Sequence, residues 1–148
     1  MEQINLEDLN EIENKLYEEA YNVRENAYAP YSGFKVGAAL VTDTGKIFSG
    51  CNVESVDLTL TTHAEMNAID SMIAAGEKKI KEIIIVMVSD VGYGMPCGLC
   101  RQKILEFALK DTVIIGINLK EDGSILNINK TSISEVLPFA FGPEVLQD

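Results

Sequence analysis

Histidine occurs once in these 148 residues, cysteine three times, and Lys plus Arg total 12 against 23 Asp plus Glu. Each scarcity excludes something. A net charge of −11 repels a phosphate backbone and no basic stripe offsets it, so no nucleic-acid partner is expected. Three cysteines is an odd count with two close together, which argues against a disulfide framework and for metal or thiol chemistry. No apolar run approaches the roughly 20 residues that span a bilayer, so no membrane partner is expected either. The acidic, polar start MEQINLEDLNEIENKL is unlike a secretory or transit peptide, which makes the cytoplasm the expected compartment. Small, neutral or weakly charged substrates suit this balance.

At 47% hydrophobic and 24% charged, the chain has the composition of a globular protein, and its length suits a single domain over residues 1–148. Leu6, Leu9, Ile12, Leu16, Ala20 and Val23 recur at steps of three and four, predicting an amphipathic helix with Asn5 as its N-cap. Tyr28-Ala29-Pro30-Tyr31 ends it. FKVGAALVT and KIFSGCNV read as two strands of a hairpin turning at Asp43-Thr44-Gly45. A helix is predicted from about His63 to Ala75, with Gly76 as its stop. The continuous apolar run Ile83 to Val88 suits a strand buried on both faces. A further helix runs from about Cys97 to Ala108, followed by strands TVIIGINL and SILNI around a Glu121-Asp122-Gly123 turn. Ser132-Ile133-Ser134-Glu135 opens a last short helix with a capping box. The order α-β-β-α-β-α-β-β-α predicts a three-layer α/β/α sandwich around a mixed five-stranded sheet.

Two helix starts carry the chemistry. His63 and Glu65 stand at one, Cys97 and Cys100 at the other. Cysteines three apart on a helix face the same way, and a helix N-terminus favours thiolates through its unpaired N–H groups and dipole. Two thiolates and an imidazole suit zinc, with a fourth position left open for water. Glu65 is then free to move protons beside that water. Other readings stay open on spacing alone: a cytosolic C-x-x-C can be a redox pair, and Cys51 can complete a closed structural site.

The joint pattern His63-Ala64-Glu65 and Pro96-Cys97-Gly98-Leu99-Cys100 resembles the signature of zinc-dependent nucleobase deaminases. AYAPYSGFKVGAALVTDTGKIFSGCNVE, THAEMNAI, PCGLCRQKILEF and ISEVLPFAFGPEVL, in that order, resemble four blocks of the cytidine deaminase family. The resemblance covers most of the chain. It implies one zinc ion per subunit held by His63, Cys97 and Cys100, with Glu65 as the catalytic proton carrier. It also implies that Phe34 packs against the pyrimidine, that Asn52 and Glu54 bind the ribose hydroxyls, and that Ala64 contacts the base through its backbone. Phe141 would reach a neighbouring subunit's site in a homo-oligomer, a tetramer before a dimer. On pattern alone Phe34 suits the core, Asn52 and Glu54 a solvated strand end, and Phe141 an intramolecular plug. The implied reaction is hydrolytic deamination of cytidine or deoxycytidine to uridine or deoxyuridine, with release of ammonia.

The chain departs from that family in four places. Short members usually carry a third cysteine where His63 stands and an arginine where Met66 stands. The two changes compensate, because three thiolates leave a negative centre for an arginine to offset whereas two thiolates and an imidazole balance the ion. Ser55-Val56-Asp57-Leu58 replaces the family's Asn-Ala-x-Tyr, and Asp90 to Met95 is an unusual approach to Pro96, with Tyr93 placed to meet a ligand. These bear on substrate choice. A zinc deaminase acting on deoxycytidylate or on a blasticidin-type aminonucleoside is the alternative, and a non-catalytic zinc-stabilised module is a further one.

Overall fold

The computed structural model describes residues 1–146. Six strands form one sheet: β1 (Glu2–Ile4), β2 (Val36–Thr42), β3 (Ile47–Cys51), β4 (Ile80–Val88), β5 (Ala108–Leu119) and β6 (Ile125–Ser132), in the order β1-β6-β5-β4-β2-β3. Only β4 and β5 pair in parallel, Ile83 opposite Ile114 and Val86 opposite Ile117. Every other pairing is antiparallel. Four helices cover it: α1 (Glu11–Arg24), α2 (Ala64–Ala74), α3 (Gly98–Phe107) and α4 (Ile133–Val136). The α/β/α layering agrees with the sequence reading.

The strand count does not. The expected five-stranded sheet has a sixth strand, β1, whose Glu2, Gln3 and Ile4 pair with Lys130, Asn129 and Ile128. Three residues of mixed polarity carry no period-2 signal, and their partner lies at the far end of the chain, so only tertiary pairing reveals them. The start of α1 is also corrected. Asn5 precedes a 3-10 turn, Leu6–Asp8, and Leu6 is exposed. The α-helix begins after Asn10, whose side chain accepts from the Ile12 and Glu13 amides (2.9 and 3.0 Å) while Glu13 accepts from the Asn10 amide (2.8 Å). That reciprocal pair satisfies amides of the helix's own first turn.

The period of two sorts the sheet into two cores. Ile83 and Ile85 face α2, α3 and α4, together with Ala68, Ile69 and Met72. Ile84 and Val86 face α1, beside Leu16 and Ala20. Alternation on an all-apolar strand is invisible in the sequence, yet this burial on both faces is what the run from Ile83 to Val88 predicts.

Gly50 sets the position of α2. A Cβ there would lie 2.4 Å from the Ala68 amide nitrogen and 2.8 Å from the Ala64 carbonyl, so β3 touches the backbone of α2's first turns. The N-terminus of α2 is thereby held over the sheet beside the end of β4, from which the chain passes to α3.

Candidate active site

Both helix starts behave alike. His63 is the N-cap of α2 and Cys97 the N-cap of α3, each extended (ψ 156° and 169°), and neither side chain caps its own helix. Their side chains are free to face each other. The His63 Nδ1 lies 3.2 Å from Cys100 Sγ and 3.4 Å from Cys97 Sγ, and the three donor atoms fall within 4.8 Å of one another. With Zn–N near 2.0–2.1 Å and Zn–S near 2.3 Å, a tetrahedral ion separates N from S by about 3.6 Å. The donor set fits zinc in type, number and spacing. Among the described residues the group does not include Cys51, which is buried in β3, so a closed four-ligand site is not formed. That leaves one coordination position without a protein donor.

Burial sets the electrostatics. Glu65, in the first turn of α2, is 5% exposed, and desolvation pushes its carboxyl above the usual range against the opposing pull of its backbone amide, Cys100 and His63. Burial likewise pushes the Cys100 thiol far up, with Glu65 and Cys97 adding to it. A divalent cation among these groups would offset the concentration of negative charge.

A cavity of about 360 Å³ opens beside this group, within the usual range for small ligands. Phe34, Asn52, Glu54, His63, Ala64 and Glu65 all line it. Phe34 is 45% exposed and forms a wall, so the plain core reading of this residue is not what the fold gives. A wider groove of about 440 Å³, with Tyr21, Arg24, Lys35 and Lys120, lies on the other side of Phe34. It has neither cysteine nor histidine, so the chemistry belongs to the smaller cavity. Phe141 stays outside that cavity: it is exposed, and its carbonyl accepts from the Gln102 side chain at 2.9 Å on the outer side of α3.

Asn52 and Glu54 are more committed than their motif suggests. The Asn52 side chain accepts from the Val36 amide and donates to the Phe34 carbonyl, both at 2.8 Å, fixing the segment that leads from Phe34 into β2. Glu54 accepts from the Tyr31 and Ser32 amides (2.9 and 3.2 Å) and from the Ser32 hydroxyl. The Ser32 hydroxyl, chiefly, holds the Glu54 carboxyl below its ordinary range. A depressed folded-state value means stability that is present above the unfolded carboxyl's pKa and lost as pH falls through the folded one. Ser32→Ala is expected to move the Glu54 titration upward and bring acid unfolding on at higher pH. Carbon-13 NMR titration of the glutamates checks this, and an unshifted Glu54 would refute it.

Several lining residues were given no role by the sequence. Val36, Met87 and Met95 supply apolar wall, and Thr61 and Ser32 the rest. Met87 is the last but one residue of β4 and reads in the sequence as part of its apolar run, so only the fold shows that it lines the cavity. Arg101 donates to the Pro96 carbonyl at 2.8 Å and to the Val136 carbonyl at 3.1 Å, tying the approach to Cys97 to α4.

The family model described as the cytidine and deoxycytidylate deaminase zinc-binding region matches residues 10–116. The cytidine deaminase of Sporosarcina psychrophila is 39% identical over 132 residues, 89% of this chain and 93% of that one. A protein named probable cytidine deaminase from Dictyostelium discoideum is 37% identical, covering 89% and 85%. The crystal structure of the cytidine deaminase from Burkholderia pseudomallei superposes with a TM-score of 0.77 at 42% identity, covering 86% of this chain and 98% of that one. That of Mycobacterium tuberculosis gives 0.69 at 31%, covering 87% and 96%. With the His/Cys/Cys donors, the buried glutamate and the fold in agreement, the chain belongs to the cytidine and deoxycytidylate deaminase zinc-binding family.

Proposed function

We propose that this protein hydrolytically deaminates cytidine and deoxycytidine, using zinc held by His63, Cys97 and Cys100. The carrying observation is a three-donor metal group beside a buried carboxyl, Glu65, at the wall of a nucleoside-sized cavity. Bound zinc supplies Lewis acidity, which makes a water nucleophilic near neutral pH.

The remaining work falls to the chain's own side chains. Glu65 takes a proton from the attacking water and delivers it to the pyrimidine ring nitrogen next to the amino-bearing carbon. The water oxygen bonds to that carbon, which becomes tetrahedral. Glu65 then passes the second proton of that oxygen to the amino group, the C–N bond breaks with its electron pair on nitrogen, and ammonia leaves as the carbonyl forms. Phe34 packs on the ring, and the Ala64 amide, in the first turn of α2 where N–H groups lack helical partners, meets its carbonyl. Asn52 has a second amide N–H without a partner among the described residues and Glu54 an exchangeable Ser32 hydroxyl contact, and these serve the ribose. Low-dielectric surroundings strengthen each of these contacts.

A nucleoside is favoured over a nucleotide by the state of the nearby cations. Arg24 is spent on the Lys35 carbonyl and Glu25, and Lys35 itself pairs with Glu25. Lys46 pairs with Glu77, and Arg101 donates to two carbonyls. Among the described residues no Lys or Arg lines the cavity itself. The loop from Ser55 to Leu60 is largely exposed, with Leu58 at φ +58°, and it modulates the choice among pyrimidine nucleosides.

Residues 1–148 act as one domain in a homo-oligomer, a tetramer rather than a dimer, with Phe141 entering the neighbouring subunit's cavity. Support comes from Phe139 and Phe141, fully and largely exposed at the edge of α4. Gln147 and Asp148 lie outside the described residues. No helix among the described residues is long and apolar enough to cross a membrane. The cytoplasmic assignment, with no nucleic-acid or membrane partner, rests on the acidic composition and the polar N-terminal stretch. The deciding assay is ammonia release by the zinc-loaded protein from cytidine, deoxycytidine, deoxycytidylate and blasticidin S. Turnover of the two nucleosides is expected. Activity confined to either of the others would overturn the substrate assignment, and zinc retention without any turnover would favour the non-catalytic reading.

A further inference from the structure

We infer that Asn118, Asn127 and Asn129 form a clamp that positions the Cys97 side of the metal site. The inference rests on reading Cys97 as a zinc ligand. Between β4 and α3 the chain does not take the short path. Residues 90–95 fold back over β5 and β6, on the face that Ile114 turns toward α2 and α3.

Two kinds of contact hold them there. The Asn118 side chain on β5 donates to the Gly92 carbonyl at 2.9 Å, and Asn127 on β6 reaches the same oxygen at 3.4 Å. Asn129 donates to the Tyr93 carbonyl at 3.1 Å and to the Asn127 side-chain oxygen at 2.8 Å. Asn127 and Asn129 share a face by the strand period. The second contact is backbone on backbone. A Cβ at Gly116 would lie 2.5 Å from the Gly94 carbonyl oxygen and 2.8 Å from that of Tyr93, and Gly94 itself holds φ +69°.

The clamped carbonyls lie close to the chemistry in sequence. Met95, which lines the cavity, follows Gly94, and Pro96 and Cys97 come next. Cys97 has an exposed side chain on a helix N-cap, so its sulfur is placed chiefly by its backbone. Core stability alone is a poor explanation for Asn118. It is fully buried and its Oδ1 has no hydrogen-bond partner among the described residues. A half-satisfied buried amide contributes less to a core than an apolar side chain does. What the three amides supply is a fixed location for two carbonyls, and through them for Met95 and Cys97.

These are positioning residues, and the test reads the metal directly. Zinc release into excess chromogenic chelator would be timed for the wild-type protein, for Asn118→Ala/Asn129→Ala, and for Gly94→Ala. The last variant pushes the same loop off β5 from its own side, because its Cβ would lie 3.0 Å from the backbone of Gly116 and Ile117. Release is expected to quicken about 10-fold or more in both, the loss typical of a supporting partner to a metal ligand. It should do so well below the melting temperature with the far-ultraviolet spectrum intact, and with a lower kcat on cytidine. Release within twofold of wild type in both would overturn the clamp. If the double variant does not fold, Gly94→Ala decides alone. If the wild-type protein turns over no nucleoside, the proposed function fails while the zinc-release comparison still tests the clamp.

Discussion

Glu65→Gln is expected to cut turnover of cytidine by about 10²–10⁴-fold, the range for removing a positioned general acid–base group. Zinc should stay bound, because Glu65 is not one of the three clustered donors. The change is isosteric and removes a carboxyl from a site 5% exposed, where desolvation disfavours the ion. Melting temperature is therefore expected to hold or rise, a pattern common where a site keeps a group for function against stability. Steady-state kinetics beside zinc quantitation and a thermal melt give all three readings. A loss of less than about tenfold in kcat with zinc retained would remove Glu65 from the reaction.

Cys100→Ala is expected to abolish zinc retention altogether. Cys100 is fully buried and is one of three clustered donors among the described residues, so an alanine there leaves the ion two of them. The loss in affinity should exceed the roughly 10–100-fold seen when only a supporting partner of a ligand is removed. Stability follows by mass action: zinc at about 1,000 times its dissociation constant adds about 4 kcal/mol to the wild-type fold. For a chain of this size that is on the order of 10 °C in melting temperature. Chelator should lower the wild-type melt by that amount and leave the variant's melt unmoved. The variant should still fold, because the two cores on either face of the sheet are formed without the metal group. Stoichiometric zinc in purified Cys100→Ala would rule out the assigned ligand set.

Much of the site was legible because its parts are local. Cys97 and Cys100 are three apart on a helix, His63 and Glu65 two apart at a helix start, and backbone geometry then dictates which way each pair faces. The helices and most strands were legible for the same reason, since their apolar periods are written within a dozen residues. The elements that were misread have two causes, one remote and one local. β1 exists because β6 offers an edge to Glu2, Gln3 and Ile4, and the first helix starts at Glu11 because Asn10 and Glu13 bond reciprocally where Asn5 starts only a 3-10 turn. Family resemblance makes Asn52 a ribose ligand and pattern alone a solvated strand end, whereas in space most of its amide serves Phe34 and Val36.

The sequence by itself determined the α/β class, the donor types for the metal and the carboxyl beside them, because each follows from residue identity and short-range spacing. Only the tertiary structure decided that the two helix starts meet within 4.8 Å, that Cys51 is left out, and that the loop before Cys97 is pinned by asparagines from two other strands. Those outcomes turn on close backbone approach at Gly50 and Gly116 and on burial, quantities set by residues far apart along the chain.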